Sequence, residues 1–246
     1  MMKKTLIFAH RGYSATHPEN TMEAFEAALQ VGAEGLEVDV QLTKDLVPVI
    51  IHDETVNRTT NGAGWVKDLT LEEIQKLDAG SWFHPSFAKA TIPTLTQLLE
   101  WIKTTPLLLN IEIKSGLVHY PGIEKIILEH VEQFNLIDRV IISSFNHYSL
   151  VDIRKLHSKI ETAILFMEGL YEPWNYARSI GAQSLHCYYP VAVPELIIGA
   201  TKAGMPVRPF TVNKDAHIEA LIKGGCAGII TDYPEKALSI RETLAK

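Results

Sequence analysis

The chain has little cysteine. Two residues, Cys187 and Cys226, in 246 cannot make a disulfide framework, and they fit a reducing compartment. It also has no basic excess. A net charge of −6 and a pI near 5.9 argue against nucleic acid and stable membrane association as partners. Long apolar runs are absent: none approaches transmembrane length. Leu6 to Ala9, behind Lys3 and Lys4, is too short for a secretory segment and is ended by His10 and Arg11. No glycine-rich phosphate loop follows an early strand, which disfavours an open doubly wound nucleotide-binding sheet. These absences point to a cytoplasmic protein and leave its oligomeric state open. The acidity also sets a requirement. An anionic substrate would need local charge reversal by a cation or by placed Arg and Lys.

The most informative stretch runs from Gly35 to Asp53. Its first strand puts Glu37 and Asp39 on one face, because side chains alternate with a period of two. Lys44 to Val47 breaks the pattern, and a β-branched run, Val49 to Ile51, leads to His52. About five residues separate the runs, too few for a parallel crossover, so the pair is an antiparallel hairpin. A turn centred on Asp45 and Leu46 would make facing positions sum to 91 and set Asp39 opposite His52.

Elsewhere the chain alternates. Leu6 to Ala9 reads as a buried strand, and Asn20 with Glu23 as a capping box for the helix that ends at Gly32. Helices at Leu95–Lys103, Gly122–Phe134, Tyr148–Leu156, Trp174–Ile180, Pro194–Gly204 and Ala216–Gly224 each precede a strand. Those strands are Leu107–Lys114, Val140–Phe145, Thr162–Phe166, Ser184–Tyr188, Pro206–Val212 and Gly228–Asp232. With the hairpin's return strand set aside, the parallel strands number eight, as in a (β/α)8 TIM barrel, and 1–246 reads as a single domain. The segment 54–92 breaks the rhythm and reads as a small inserted subdomain over the mouth of the site.

In such a barrel the reactive residues sit at the C-terminal ends of strands. Those ends supply His10 and Arg11, Glu37 and Asp39, Glu112 and Lys114, with His52 added by the hairpin. Three crowded carboxylates would raise one another's pKa values unless a cation intervened. All-oxygen ligation favours Mg²⁺ or Ca²⁺ over zinc. Arg11 and Lys114 suit phosphate oxygens. Two histidines beside a cation-bound phosphate are what a phosphodiester displacement needs, one to take a proton and one to protonate the leaving alkoxide. Taken singly, each feature has a bland explanation: a solvated strand face, a core histidine, a structural ion pair. Their convergence on strand ends does not. The remaining histidines are read as surface residues, except His186, which is read as core.

Ala9-His10-Arg11-Gly12, Pro18-Glu19-Asn20-Thr21, Glu37-Val38-Asp39-Val40, His52-Asp53 and Ile111-Glu112-Ile113-Lys114 together resemble the glycerophosphodiester phosphodiesterase family. Phe210-Thr211-Val212-Asn213 and Thr231-Asp232-Tyr233-Pro234 resemble its C-terminal signatures. The resemblance implies a TIM barrel with an insertion after His52-Asp53, and metal-dependent hydrolysis of a small glycerophosphodiester to sn-glycerol 3-phosphate and an alcohol. It implies that Glu37, Asp39 and Glu112 bind one divalent cation, Mg²⁺ or Ca²⁺. His10 and His52 would be the acid/base pair, and Arg11 and Lys114 would hold phosphate. It also implies attack by the glycerol 2-hydroxyl through a cyclic phosphate. Leu46 replaces a usual turn glycine, and Phe210 replaces a common tryptophan in the substrate pocket. The alternative is lysophospholipase D-type cleavage of lysophospholipids, for which an aromatic content of 8% offers little groove.

Overall fold

The computed structural model describes residues 4–245. Along the chain run β1 (Leu6–His10), α1 (Met22–Gln30), β2 (Gly35–Leu42), β3 (Pro48–Ile50), α2 (Leu71–Ile74) and α3 (Leu95–Ile102). There follow β4 (Leu108–Ile113), α4 (Ile123–Gln133), β5 (Val140–Ser144), α5 (His147–Leu156), β6 (Glu161–Phe166) and α6 (Pro173–Ser179). The chain closes with β7 (Ser184–Cys187), α7 (Pro194–Lys202), α8 (Asp215–Lys223), β8 (Gly228–Thr231) and α9 (Pro234–Leu244).

The strands form one curled sheet in the order β7-β6-β5-β4-β2-β1-β8, parallel throughout, with β3 antiparallel on β2. Continuous apolar strands suit this arrangement because both faces are covered. Alternate residues such as Ile7, Leu36, Val38, Ile111, Ile142, Ile164 and Ile229 pack outward. There they meet Phe25, Leu98, Ile127, Ile153, Ile197 and Ile218 from the helices. Each such aliphatic side chain contributes about 1.5–3 kcal/mol when fully buried. The other face carries a separate cluster of Phe8, Ile141, Ala163 and Ile230, with Leu6, Leu108 and Phe210 against it. This apolar plug fills the inner face below the C-terminal strand ends.

Three local expectations need correction. The strand expected over Pro206–Val212 is not regular. It makes single bridges from Val207 to Leu185 and from Phe210 to Tyr188, because Pro206 and Pro209 have no N–H to give a ladder. The segment still bonds on both sides: Arg208 N to Leu185 O and Phe210 N to Cys187 O, each 2.9 Å, and Val212 N to Ile230 O, also 2.9 Å. The hairpin register is one residue off the expected one. Val40 faces Ile50 and Leu42 faces Pro48, so facing positions sum to 90 and Asp39 meets Ile51, whose N–H it accepts at 3.0 Å. The cause is a three-residue turn, Lys44-Asp45-Leu46, with Leu46 at φ 61° in the left-handed region. The α1 cap is Thr21, whose side chain accepts from Ala24 N. Asn20, at φ 56°, turns instead toward Asp39.

Between residues 54 and 92 the chain makes short turns and α2, which opens on a Thr70–Glu73 capping box. This stretch, with β3, encloses its own small core of Val49, Ile51, Val56, Val66, Ile74, Ala79 and Ile92.

Candidate active site

The site is assembled at the C-terminal ends of β1, β2, β4 and β8. The period of two on β2 aims Glu37 and Asp39 inward, and parallel pairing of Asp39 with Glu112 brings the third carboxylate alongside. Ligand oxygens of Glu37, Asp39 and Glu112 all lie within 4.8 Å of one another. Burial, together with the charges of Asp39 and Glu112, pushes the Glu37 carboxyl well above the carboxylate range. Burial and the Asp39 charge push Glu112 to about 7, although Lys114 Nζ bonds it at 3.0 Å. Asp39 goes the other way. Burial alone would raise it, but Arg11, His52, Lys114 and the Asn20 amide hold it at about 2. Burial and mutual repulsion push two of the carboxyls toward protonation beside an ionised third, a strain that a bound cation would relieve. Three hard oxygen donors so close together could hold a divalent cation.

Arg11 leaves β1 at φ 55° and Gly12 follows at φ 84°. A Cβ on Gly12 would lie 2.7 Å from Ala24, so only glycine lets this turn rest on α1. The Arg11 guanidinium then spans Glu19 Oε1 at 2.8 Å and Asp39 Oδ2 at 3.3 Å. Asn20 Nδ2 donates to Asp39 Oδ2 at 3.0 Å.

Each histidine is held through Nδ1 by an aspartate. His10 Nδ1 lies 2.6 Å from Asp232 Oδ1, and its Nε2 lies 3.9 Å from Glu37 Oε2. Asp232 also accepts from Ser14 Oγ at 3.1 Å and from Asn213 Nδ2, and these bonds and the one to His10 overcome burial to lower the pKa of Asp232. His52 Nδ1 lies 2.7 Å from Asp53 Oδ1. Burial, with Arg11 and Lys114 nearby, pushes the His52 pKa down despite Asp39. A neutral imidazole with Nδ1–H given to a carboxylate keeps Nε2 free to accept a proton. Asp53 receives Arg58 Nε at 2.7 Å, and Arg58 also donates to both Glu19 oxygens at 2.8 Å. A charge chain thus runs His52, Asp53, Arg58, Glu19, Arg11, Asp39. A cavity of about 280 Å³ opens against His10, Arg11, Ser14, Glu19, Asp232 and Tyr233.

The structure therefore brings together six of the sequence-derived residues, His10, Arg11, Glu37, Asp39, Glu112 and Lys114, with His52 near enough for its charge to act on Asp39. Phe210 lies in the inner apolar cluster, edge-on to Phe145 at 5.9 Å between centroids. The sequence alone assigns no site role to Glu19, Asp53, Arg58, Asn213 or Asp232, and reads Asn20 only as a helix cap. Glu19, Asn20, Asp53, Asn213 and Asp232 stand within the quoted motifs, which was the available signal; Arg58 lies outside them.

The Glycerophosphoryl diester phosphodiesterase family model matches residues 10–236. A glycerophosphodiester phosphodiesterase of Caldanaerobacter subterraneus subsp. tengcongensis is 52% identical over 96% of this chain and 98% of its own length. One from Bacillus altitudinis is 44% identical over 98% and 99%. Among solved structures, an Oleispira antarctica phosphodiesterase in complex with the product sn-glycerol-3-phosphate superposes with a TM-score of 0.88. It is 29% identical and covers 97% of each chain. Fold, site and relatives define a phosphoric diester hydrolase. Within that class the chain belongs to the glycerophosphoryl diester phosphodiesterase family.

Proposed function

We propose that the protein hydrolyses small glycerophosphodiesters to sn-glycerol 3-phosphate and an alcohol with the help of one divalent cation. The observation that carries this reading is the carboxylate trio within 4.8 Å flanked by two aspartate-held histidines. The product-bound Oleispira relative supports the choice of substrate. Glu37, Asp39 and Glu112 would hold Mg²⁺ or Ca²⁺, which when bound stabilises charge on the phosphoryl oxygens. Arg11 and Lys114 bind and orient the phosphate, as a fork and a point charge. One imidazole of the His10 and His52 pair removes the proton from the attacking hydroxyl, and the other protonates the departing alkoxide. Attack by the glycerol 2-hydroxyl, through a cyclic phosphate, is the route this pair serves; brisk hydrolysis of a 2-deoxy analogue would exclude it. Phe210 would form an apolar wall for the glycerol.

In this reading the segment 206–212 is the irregular eighth stave of a closed (β/α)8 barrel forming one domain, and 54–92 is an inserted subdomain beside the mouth. Among the described residues no helix is long and apolar enough to cross a membrane. The buried free thiols of Cys187 and Cys226 support a reducing, cytoplasmic setting.

His10→Ala and His52→Ala are each expected to lower turnover by about 10²–10⁴-fold while cation binding, measured by calorimetry, persists. Full activity in either variant would sink the two-histidine mechanism. A second reading, cleavage of lysophospholipids, draws on a cleft of about 600 Å³ lined by Leu170, Tyr171, Trp174, Val191 and Leu196. Lysophosphatidylcholine as a parallel substrate decides it.

A further inference from the structure

The turn that carries His52 has an unusual anchor. Residues 51–53 lie beyond β3, and among the described residues no backbone N–H reaches the carbonyls of Ile51, His52 or Asp53. One side chain meets all three. Gln41, fully buried, turns the two N–H groups of Nε2 toward Ile51 O at 3.2 Å, His52 O at 3.0 Å and Asp53 O at 2.7 Å, one of them shared between two carbonyls. Its Oε1 accepts from the Tyr120 hydroxyl at 2.9 Å, which leaves the amide a single satisfied orientation. Tyr120 is itself buried, between β4 and α4.

Packing alone does not account for this choice of residue. An apolar side chain of the same length would fill the space without the cost of burying an amide. The amide is satisfied only because the turn curls its carbonyls around it, so the two features require each other. Gln41 also sits on β2 two residues beyond Asp39, on the same face of the strand. The strand that delivers Asp39 therefore also grips the turn that delivers His52.

We propose that Gln41, oriented by Tyr120, is a positioning residue that fixes the His52 imidazole relative to Asp39 and so to the reacting phosphodiester. It touches no reacting atom. The proposal rests on the acid/base role given to His52 above. Misplacing a reacting group by an ångström can cost about 10²-fold in rate, whereas binding of phosphate and cation draws on other side chains.

The test is hydrolysis of glycerophosphocholine with Mg²⁺ by the full chain carrying Gln41→Met, alone and combined with His52→Ala. Expected is a kcat lower by roughly 10–100-fold with KM and Mg²⁺ affinity little changed, and no further loss when Gln41→Met is added to His52→Ala. A loss of the same factor in the His52→Ala background would show that Gln41 acts on the fold at large, and would overturn the proposal. Unchanged kcat in Gln41→Met beside an impaired His52→Ala would overturn it as well, leaving the role of His52 intact. Full activity of His52→Ala alone would remove both. Should Gln41→Met not fold, Tyr120→Phe carries the test. It is expected to lower kcat several-fold, again only when His52 is present, and an unchanged kcat there contradicts the proposal.

Discussion

The two histidines are held by the same bond and by different parts of the molecule. His10 is tied to Asp232, 222 positions away, by the pairing of β1 with β8. His52 is tied to its own neighbour, Asp53, on a turn outside regular structure. Asp232 is fixed by neutral donors, Ser14 and Asn213. Asp53 is fixed by a charge, Arg58, that continues through Glu19 to Arg11. One imidazole is thus placed by the joining of the chain's two ends, the other by a local electrostatic chain. The first should respond to changes in Asp232 itself, the second to changes anywhere along its links.

That contrast can be broken from either side. Asp232→Asn removes the charge that fixes the His10 tautomer and is expected to lower kcat by about 10²-fold. The melting temperature, read by calorimetry, should move little by comparison. Arg58→Met leaves Asp53 in place but unbraced, and about a tenfold loss of kcat is expected, smaller because the imidazole keeps its partner. Its cost in stability should stay within about 1 kcal/mol, since Arg58 is substantially exposed. If Arg58→Met proved as damaging as Asp232→Asn, the distinction between the two anchors would fail.

The carboxylate trio contrasts with both dyads, since its charges are set against one another. With no cation bound, burial and the Asp39 charge push the Glu112 carboxyl up to about 7 from an ordinary 4.5. A carboxyl whose folded pKa is raised favours the folded state below its unfolded pKa, and that contribution is lost as pH rises through the folded value. Wild-type stability relative to Glu112→Gln should therefore fall between about pH 4.5 and 7 in EDTA. Added Mg²⁺ or Ca²⁺ should restore it above that range. Paired urea titrations across pH check this, and a pH-independent difference would contradict it.

The smallest effect concerns the hairpin that separates the two anchors. Leu46 sits at φ 61° and is 58% exposed, so it strains the turn and buries little. Leu46→Gly is expected to raise stability by about 0.5–1 kcal/mol and to leave kcat unchanged.

The sequence carried the carboxylates and His10 plainly, because a period-two strand states which side chains share a face and a buried strand ending in a charged residue states where the face opens. It carried the hairpin but not its register. A single residue, Leu46 in a left-handed turn, shifts facing positions from 91 to 90 in sum, and nothing in its chemistry announces that conformation. The segment from Pro206 to Val212 has the apolar character that marks a place in the sheet, while Pro206 and Pro209 deny it a ladder. Asp232, Arg58 and Gln41 were harder still. Their roles depend on which distant groups they meet once the sheet curls, and local periodicity does not encode that. Asn20 shows the same limit at short range: it has the chemistry of a helix cap, yet Thr21 caps α1 and Asn20 bonds Asp39.

The most direct measurement is the release of sn-glycerol 3-phosphate from glycerophosphocholine and glycerophosphoethanolamine, assayed enzymatically with EDTA and after restoring Mg²⁺ or Ca²⁺. Expected is one sn-glycerol 3-phosphate per alcohol released, abolished by EDTA and recovered with a divalent cation. Release of a phosphorylated headgroup in place of glycerol phosphate, or turnover indifferent to EDTA, would contradict a carboxylate-held cation acting with two histidines on this bond.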